Sequence, residues 1–246
     1  MIPRRRKTSL PLSGPSTRVQ FSSPFRIAVL LVAFLLAGES IWLLAPELFG
    51  AGIERFPLDK ASAAAAADKR DIAAFAASVG GVRGDLGTQS AFTYSELLWS
   101  SPSGPDSAQV LERARASLER ALNEAPHRCD VWLLMAALAQ RYRFEGIDPV
   151  QALKMSYYTG PSERYLIALR ITVVAKSDFV PDIEMRQFVS RDLRWLVGEK
   201  QNSTIAAAYN AASAEGKKFI EQTLAEMSPP TLQWLRSAAQ PAQLPD

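Results

Sequence analysis

One cysteine, Cys129, and one histidine, His127, are all that the 246 residues hold of the side chains that most often serve as metal ligands or as nucleophile and base. A lone cysteine excludes an intramolecular disulfide, so any folded part must be held by its core alone, and a thiol followed by Val131 and Trp132 reads as a small packed side chain. His127 and Cys129 stand two apart, and helix positions at that spacing do not share a face, so they form no joint site on a helix. HExxH, GxSxG, the phosphate-binding P-loop and paired cysteines are also absent. Gly81, Gly84 and Gly87 have the wrong spacing for a dinucleotide fingerprint and come after no strand. The acid pairs Glu39/Glu47 and Asp182/Glu184 have nothing to set them apart from solvated surface. The chain is therefore not expected to be an enzyme, nor to bind a cofactor or a metal.

Acidic residues are missing from the whole stretch before Glu39, which carries six of the 28 basic ones: Arg4, Arg5, Arg6, Lys7, Arg18 and Arg26. The chain from Glu39 onward holds 22 basic against 25 acidic residues, so the formal charge of +3 belongs to the tail and the remainder is mildly acidic. That balance argues against nucleic acid, which needs a basic face on the folded part. Residues 1–24 are rich in Pro, Ser and Arg and are expected to be a disordered cytoplasmic tail touching anionic head groups.

Against these absences stands one long apolar run, Phe25 to Ala45. A hydrocarbon core about 30 Å thick needs roughly 20 such residues. Glu39, beside Ser40, opposes insertion by up to about 3 kcal/mol, while the twelve Phe, Ile, Leu and Val side chains of the run favour it by roughly 4 to 7 kcal/mol in total. A transmembrane helix is expected, with Trp42 near an interface. The basic residues before it place the N-terminus in the cytoplasm by the positive-inside rule, and the rest across the membrane. The rival is a cleaved signal peptide with an apolar core from Ile27 to Ala37. Its nearest small-residue cleavage site, Gly50-Ala51-Gly52, lies far downstream. Glu39 is the candidate contact for a partner helix, or else snorkels to water.

After a linker over residues 46–58, helical signals run almost without interruption to residue 239, and 240–246 are a polar tail. The Ala-rich stretch Asp59 to Ser78 predicts one helix, with Ile72 and Phe75 as its apolar side and Gly80-Gly81 as its stop. Asp85 is placed to N-cap a helix from Leu86 to Trp99. Arg83-Gly84-Asp85 matches an integrin-binding tripeptide, but a turn and a cap account for it. Ser101 to Pro105 predicts a loop. Apolar residues at helical spacing, Val110 to Leu122 and Val131 to Ala139, predict two helices meeting at Ala125-Pro126.

Ala114, Leu118, Ala121 and Pro126 resemble the second helix of a tetratricopeptide repeat, and Trp132, Met135 and Ala136 fall where the next repeat begins. One and a half repeats match, and Asp148 then occupies a place that wants a small apolar residue. Ala152 to Ser156, Thr159-Gly160-Pro161, Glu163, Leu166, Arg170 and Arg191 to Leu196, with the GVRGDL segment, resemble the VpsP-type tetratricopeptide-like proteins associated with bacterial exopolysaccharide gene clusters. The resemblance implies a membrane-anchored helical protein that serves polysaccharide synthesis or export, and implies no residue-level chemistry.

From the residues themselves, Gly160 is expected as a left-handed C-cap and Ser162 as the cap of a helix from Glu163 to Lys176. Another helix is expected over Asp182 to Glu199, with Arg186, Arg191, Asp192 and Arg194 solvated. Three short helices start at Thr204, Lys217 and Thr231, and Trp234 packs in the last. Arg170, Arg191 and Arg194 could meet acidic sugar or phosphate, although helix arginines are mostly exposed and paired. Asn202-Ser203-Thr204 is a glycosylation sequon that matters only in a pathway that glycosylates.

The expectation is an all-α antiparallel array with partial tetratricopeptide character over 59–239, tethered to the outer face of a bacterial inner membrane. Its role would be that of an adaptor or scaffold contacting inner-membrane or periplasmic proteins. The alternatives are a polysaccharide-binding or polymer-modifying protein using Tyr94, Trp99, Tyr157 and Tyr158, and an assembly factor for another envelope complex.

Overall fold

A computed structural model of the chain describes residues 23–49, 54–81, 83–100, 107–177 and 182–239. Of the tail expected to be disordered over 1–24, residues 1–22 lie outside these and Ser23 and Pro24 are helical; the expected disorder of 240–246, the loop at Ser101 to Pro105 and the rival cleavage site lie outside as well. Two units are distinguished, one ending at Trp42 and the other starting at Leu43, and among the described residues all regular structure is helical.

Helix α1 spans Ser23–Phe49. Its stretch Ser23–Leu44, 22 residues with every side chain exposed, is long and apolar enough to cross a membrane. At 1.5 Å per residue that is about 33 Å. The Ser40 hydroxyl donates to the Leu36 carbonyl at 2.7 Å, so the one hydroxyl beside Glu39 is satisfied within the helix.

The stretch expected to be a linker is less passive. Residues 46–49 continue α1, and Phe56 is buried in the core, edge-on to Phe92 with centroids 5.5 Å apart. The Ala-rich run is two helices, α2 (Lys60–Ala67) and α3 (Arg70–Gly80). Asp59 caps α2 by accepting from the Ser62 amide. The chain breaks at Asp68-Lys69, where no Gly or Pro stands, because Arg70 is held elsewhere. Its guanidinium donates to the Thr93 carbonyl at 3.2 Å and pairs with Glu96 at 2.7 Å. The buried face is made of alanines (Ala63, Ala66, Ala73, Ala76, Ala77), while Ile72 and Phe75 are half exposed, contrary to expectation.

The expected helix from Leu86 to Trp99 is also divided, into α4 (Gly84–Phe92) and α5 (Glu96–Trp99). Asp85 lies inside the first turn of α4 and does not cap it. Its carboxylate accepts from Arg83 Nε at 3.1 Å, which leaves the two charges of the Arg-Gly-Asp string paired with each other. The glycines here serve close packing. A Cβ at Gly84 would stand 2.9 Å from the Ala125 Cβ, and one at Gly87 would stand 2.7 Å from Glu124 Oε2.

Helices α6 (Ser107–Glu124) and α7 (Cys129–Tyr142) meet at Ala125-Pro126 as expected. The residue that interrupts the repeat pattern, Asp148, caps α8 (Pro149–Thr159) by accepting from the Val150 amide at 2.8 Å. Gly160 has φ −146° and ψ 64°, which is not left-handed, so its role as a left-handed cap fails. A β-carbon there would run into Cys129, whose Sγ and Cβ fill that space. Ser162 caps nothing. Glu163 leads into a 3-10 turn, Arg164–Leu166, and then α9 (Ile167–Ala175).

Helix α10 (Ile183–Gly198) starts where Asp182 accepts from the Met185 amide at 2.9 Å. Helices α11 (Asn202–Ala211), α12 (Ala214–Met227) and α13 (Pro229–Ala239) complete the chain. In α13 Leu232 and Leu235 pack, whereas Trp234 stays 39% exposed against expectation.

The packing order from α4 onward repeats. Helix α4 packs on α6, α7 on α8, α9 on α10 and α11 on α12. Helix α7 also touches α4 and α6, α9 touches α7, α11 touches α9 and α10, and α13 touches α11 and α12. One apolar core runs through this series from Phe56 to Leu235.

Candidate functional site

The repeat-like positions are structural. Ala114, Leu118, Ala121, Met135 and Ala136 are buried, and Trp132 lies partly buried against the core. The Trp132 indole donates to the carbonyl of exposed Pro126 at 2.8 Å, which fixes the corner between α6 and α7. Small residues on α6 allow the close approach of α4, whose Gly87 faces the Ala121 backbone. Cys129 is buried, and burial pushes its thiol pKa up, which suits a packed side chain and not a reactive one.

The arginines separate into two kinds. Arg170 is fully buried. Its Nε donates to Ser156 Oγ at 3.1 Å and its Nη2 to the Ser156 and Gly160 carbonyls, while the guanidinium lies 4.6 Å from the Tyr157 ring centroid. A cation from α9 thus satisfies the carbonyl end of α8, where the helix dipole favours positive charge. It is unavailable to a ligand. Asp192, expected in solvent, is also buried, and burial pushes its carboxyl pKa up although Arg170 and Arg191 act against that. Arg191 and Arg194 are exposed, and Arg191 lies 3.7 Å from Asp192.

The four aromatics do not form a sugar platform. Tyr94 and Tyr157 are buried, Trp99 is partly buried, and Tyr158 is exposed with its hydroxyl donating to Glu184. Asp182 and Glu184 are more than surface, since both accept from Lys154 Nζ, at 3.0 and 2.9 Å. Among the described residues no group of three or more His, Cys, Asp and Glu side chains is placed to hold a metal ion. Glu39 is exposed on α1.

What the sequence did not point to is a groove along one face of the helical series. Three hollows share walls. One of about 470 Å³ lies between Trp99, Arg141 and Thr172, one of about 440 Å³ continues past Tyr165 to α11, and one of about 450 Å³ extends towards Phe144 and Ile147. Lys176 lines all three, and Trp99, Leu169 and Thr172 line the first two. The floor is built from two lines of residues spaced one helical turn apart: Ala168, Thr172 and Lys176 from α9, and Ser203, Ala207 and Ala211 from α11. Short side chains here keep the trough open between the longer ones of α5 and α7.

The walls are held in place by polar ties. Arg141 Nη1 donates to the Leu97 and Leu98 carbonyls at 3.1 and 3.0 Å, which locks α5 against α7. With its side-chain amide turned over, Gln140 donates to the Val173 carbonyl at 3.3 Å and accepts from the Ser177 amide at 3.2 Å, which joins α7 to the end of α9. The charged residues lining the three hollows are Arg141, Arg143 and Lys176, with no acidic side chain among the described residues. Beyond Leu58 and Tyr165 the groove opens into a hollow of about 1080 Å³ where both signs of charge meet: Arg55 and Lys69 against Glu54, Asp59 and Glu163. The spacing of Ala168, Thr172 and Lys176 was the available signal, but without the packing partners it reads as an ordinary exposed face.

Compared with protein-family models, with curated proteins and with solved structures, the chain matches none.

Proposed function

We propose that the chain is a membrane-anchored helical adaptor, its N-terminus cytoplasmic and its helical array extracytoplasmic, which supports exopolysaccharide synthesis or export through protein–protein contacts. The observation that carries this reading is the joining, in one chain, of a membrane-length apolar helix and a helical array that offers a long groove. The order of packing supports a tetratricopeptide-like array. In such arrays each repeat contacts its neighbours, as α7 does with α4 and α6, α11 with α9 and α10, and α13 with α11 and α12. The orientation rests on the basic residues before α1. The polysaccharide setting rests on the resemblance of Ala152 to Ser156, Thr159-Gly160-Pro161 and Arg191 to Leu196 to the VpsP-type proteins. Glu39 on α1 is the residue through which a neighbouring membrane helix is engaged, since a carboxylate in an apolar span marks a polar contact.

The test is a mild-detergent pull-down from native membranes, with the full chain beside a version whose α1 is replaced by a cleavable signal peptide. Glycosyltransferase, polymerase or export proteins should co-purify with the full chain and be depleted without α1. Retention of polysaccharide with no protein partner would overturn the adaptor reading in favour of sugar binding.

A further inference from the structure

We propose that the groove between α7, α9 and α11 takes an acidic peptide segment of a partner protein, with apolar side chains seated on the Ala168, Ala207 and Ala211 floor and carboxylates facing Lys176 and Arg143. This rests on the adaptor reading and names the chemistry of its partner.

Charge selects the occupant. Everything after the N-terminal tail and α1's first turns has an excess of acidic residues, yet the three hollows are lined by Arg141, Arg143 and Lys176 and by no acidic side chain among the described residues. A strip lined by cations and by no described acidic side chain attracts anionic segments. Lys176 is exposed and lines all three hollows, so its side chain stands where they meet. Arg143 is exposed at the end of α7, in the left-handed conformation with φ 52°. Arg141 is engaged by the Leu97 and Leu98 carbonyls, which makes it a wall as much as a ligand.

The floor argues for a peptide over a polyanionic sugar. Ala168, Ala207 and Ala211 are exposed and methyl-sized, and Leu58, Trp99 and Leu169 line the same hollow, so beside the Lys176 end the trough offers apolar contacts interspersed with the Thr172, Ser203 and Thr204 hydroxyls. A chain of uronic acids carries no apolar side chain to cover Leu58, Trp99 and the three methyls, which would stay in contact with polar groups. A segment mixing Leu or Phe with Asp or Glu fills the floor and meets the cations at once.

The test uses the full chain in detergent or nanodiscs, with fluorescence anisotropy of three labelled probes: a peptide of alternating Glu and Leu, its Lys and Leu counterpart, and a polyuronate oligosaccharide. The Glu/Leu peptide should bind, and more weakly as salt rises. Lys176→Glu should weaken it at least tenfold, and Ala168→Trp, which fills the floor without changing charge, should do the same. Both positions are exposed, and circular dichroism of each variant checks the fold. Equal binding of the Lys/Leu peptide, tighter binding of the polyuronate, or indifference to Ala168→Trp would each overturn the proposal. Partners that co-purify unchanged with Lys176→Glu would overturn it too while leaving the adaptor reading intact, whereas a wild-type chain without protein partners removes that reading itself.

Discussion

Arg170 and Gly160 hold the end of α8 from two sides, and each is sensitive to a single change. Replacing Arg170 by Ala leaves the Ser156 and Gly160 carbonyls without their donor and opens space beside Tyr157. We expect a loss of about 3 kcal/mol, measured by urea denaturation. Gly160→Ala drives a methyl into Cys129 and should cost about 1 to 3 kcal/mol, part of which Cys129→Gly should restore in the double variant. Additive losses in that pair would contradict the contact. At this scale the sequence was readable where chemistry is local. The packing of Cys129 derives from residue type and position, whereas the caps expected at Asp85, Gly160 and Ser162 do not form and Asp59 and Asp182 cap their helices instead. Arg170 and Asp192 were not readable, because their burial depends on which neighbouring helix covers them.

Helix α10 is joined to α8 by charge. Lys154 pairs with Asp182 and Glu184, and Tyr158 donates to Glu184. The amide of Met185 and then Lys154 hold the Asp182 carboxyl below its usual range, and the Tyr158 hydroxyl and then Lys154 do so for Glu184. A carboxyl depressed in the folded state stabilises the fold above its unfolded pKa, and that contribution is lost as pH falls through the folded value. The double variant Asp182→Asn/Glu184→Gln should therefore be less stable than the parent at pH 7. The gap should start to close as pH falls into the ordinary carboxylate range near about 4 and vanish only below the depressed folded values, in urea midpoints tracked against pH. A gap that stays constant with pH would contradict the ionic tie.

Element boundaries divided along the same line as residues. The corner at Ala125-Pro126, the start of α8 after Asp148 and that of α10 after Asp182 carry their stop or start signals in the chain. The breaks at Asp68-Lys69 and Thr93 to Ser95 do not. They come from tertiary ties, Arg70 reaching Thr93 and Glu96, which override the helix preference of the alanines.

For the whole molecule, the long apolar helix α1 is the part most legible in sequence, because crossing a bilayer demands length and apolarity without reference to any fold. The groove was the least legible, since its walls come from α5, α7, α9 and α11 and exist only once those helices pack. If the leader charges set the orientation, a reporter active only outside the cytoplasm should be active when fused after residue 239. Exchanging Arg4, Arg5, Arg6 and Lys7 for Glu should reduce that activity several-fold. Unchanged activity in the charge-reversed chain would contradict the orientation.

The central claim is that this face of the array receives protein partners while the chain is held at the membrane. The most direct measurement places a photo-crosslinking amino acid at position 168 of the full chain in native membranes, with a control at exposed Lys60 outside the groove. A discrete adduct should form at 168 only, identified by mass spectrometry as a polysaccharide-assembly protein and joined through an acidic segment. The same adducts from both positions, or none from 168, would contradict it.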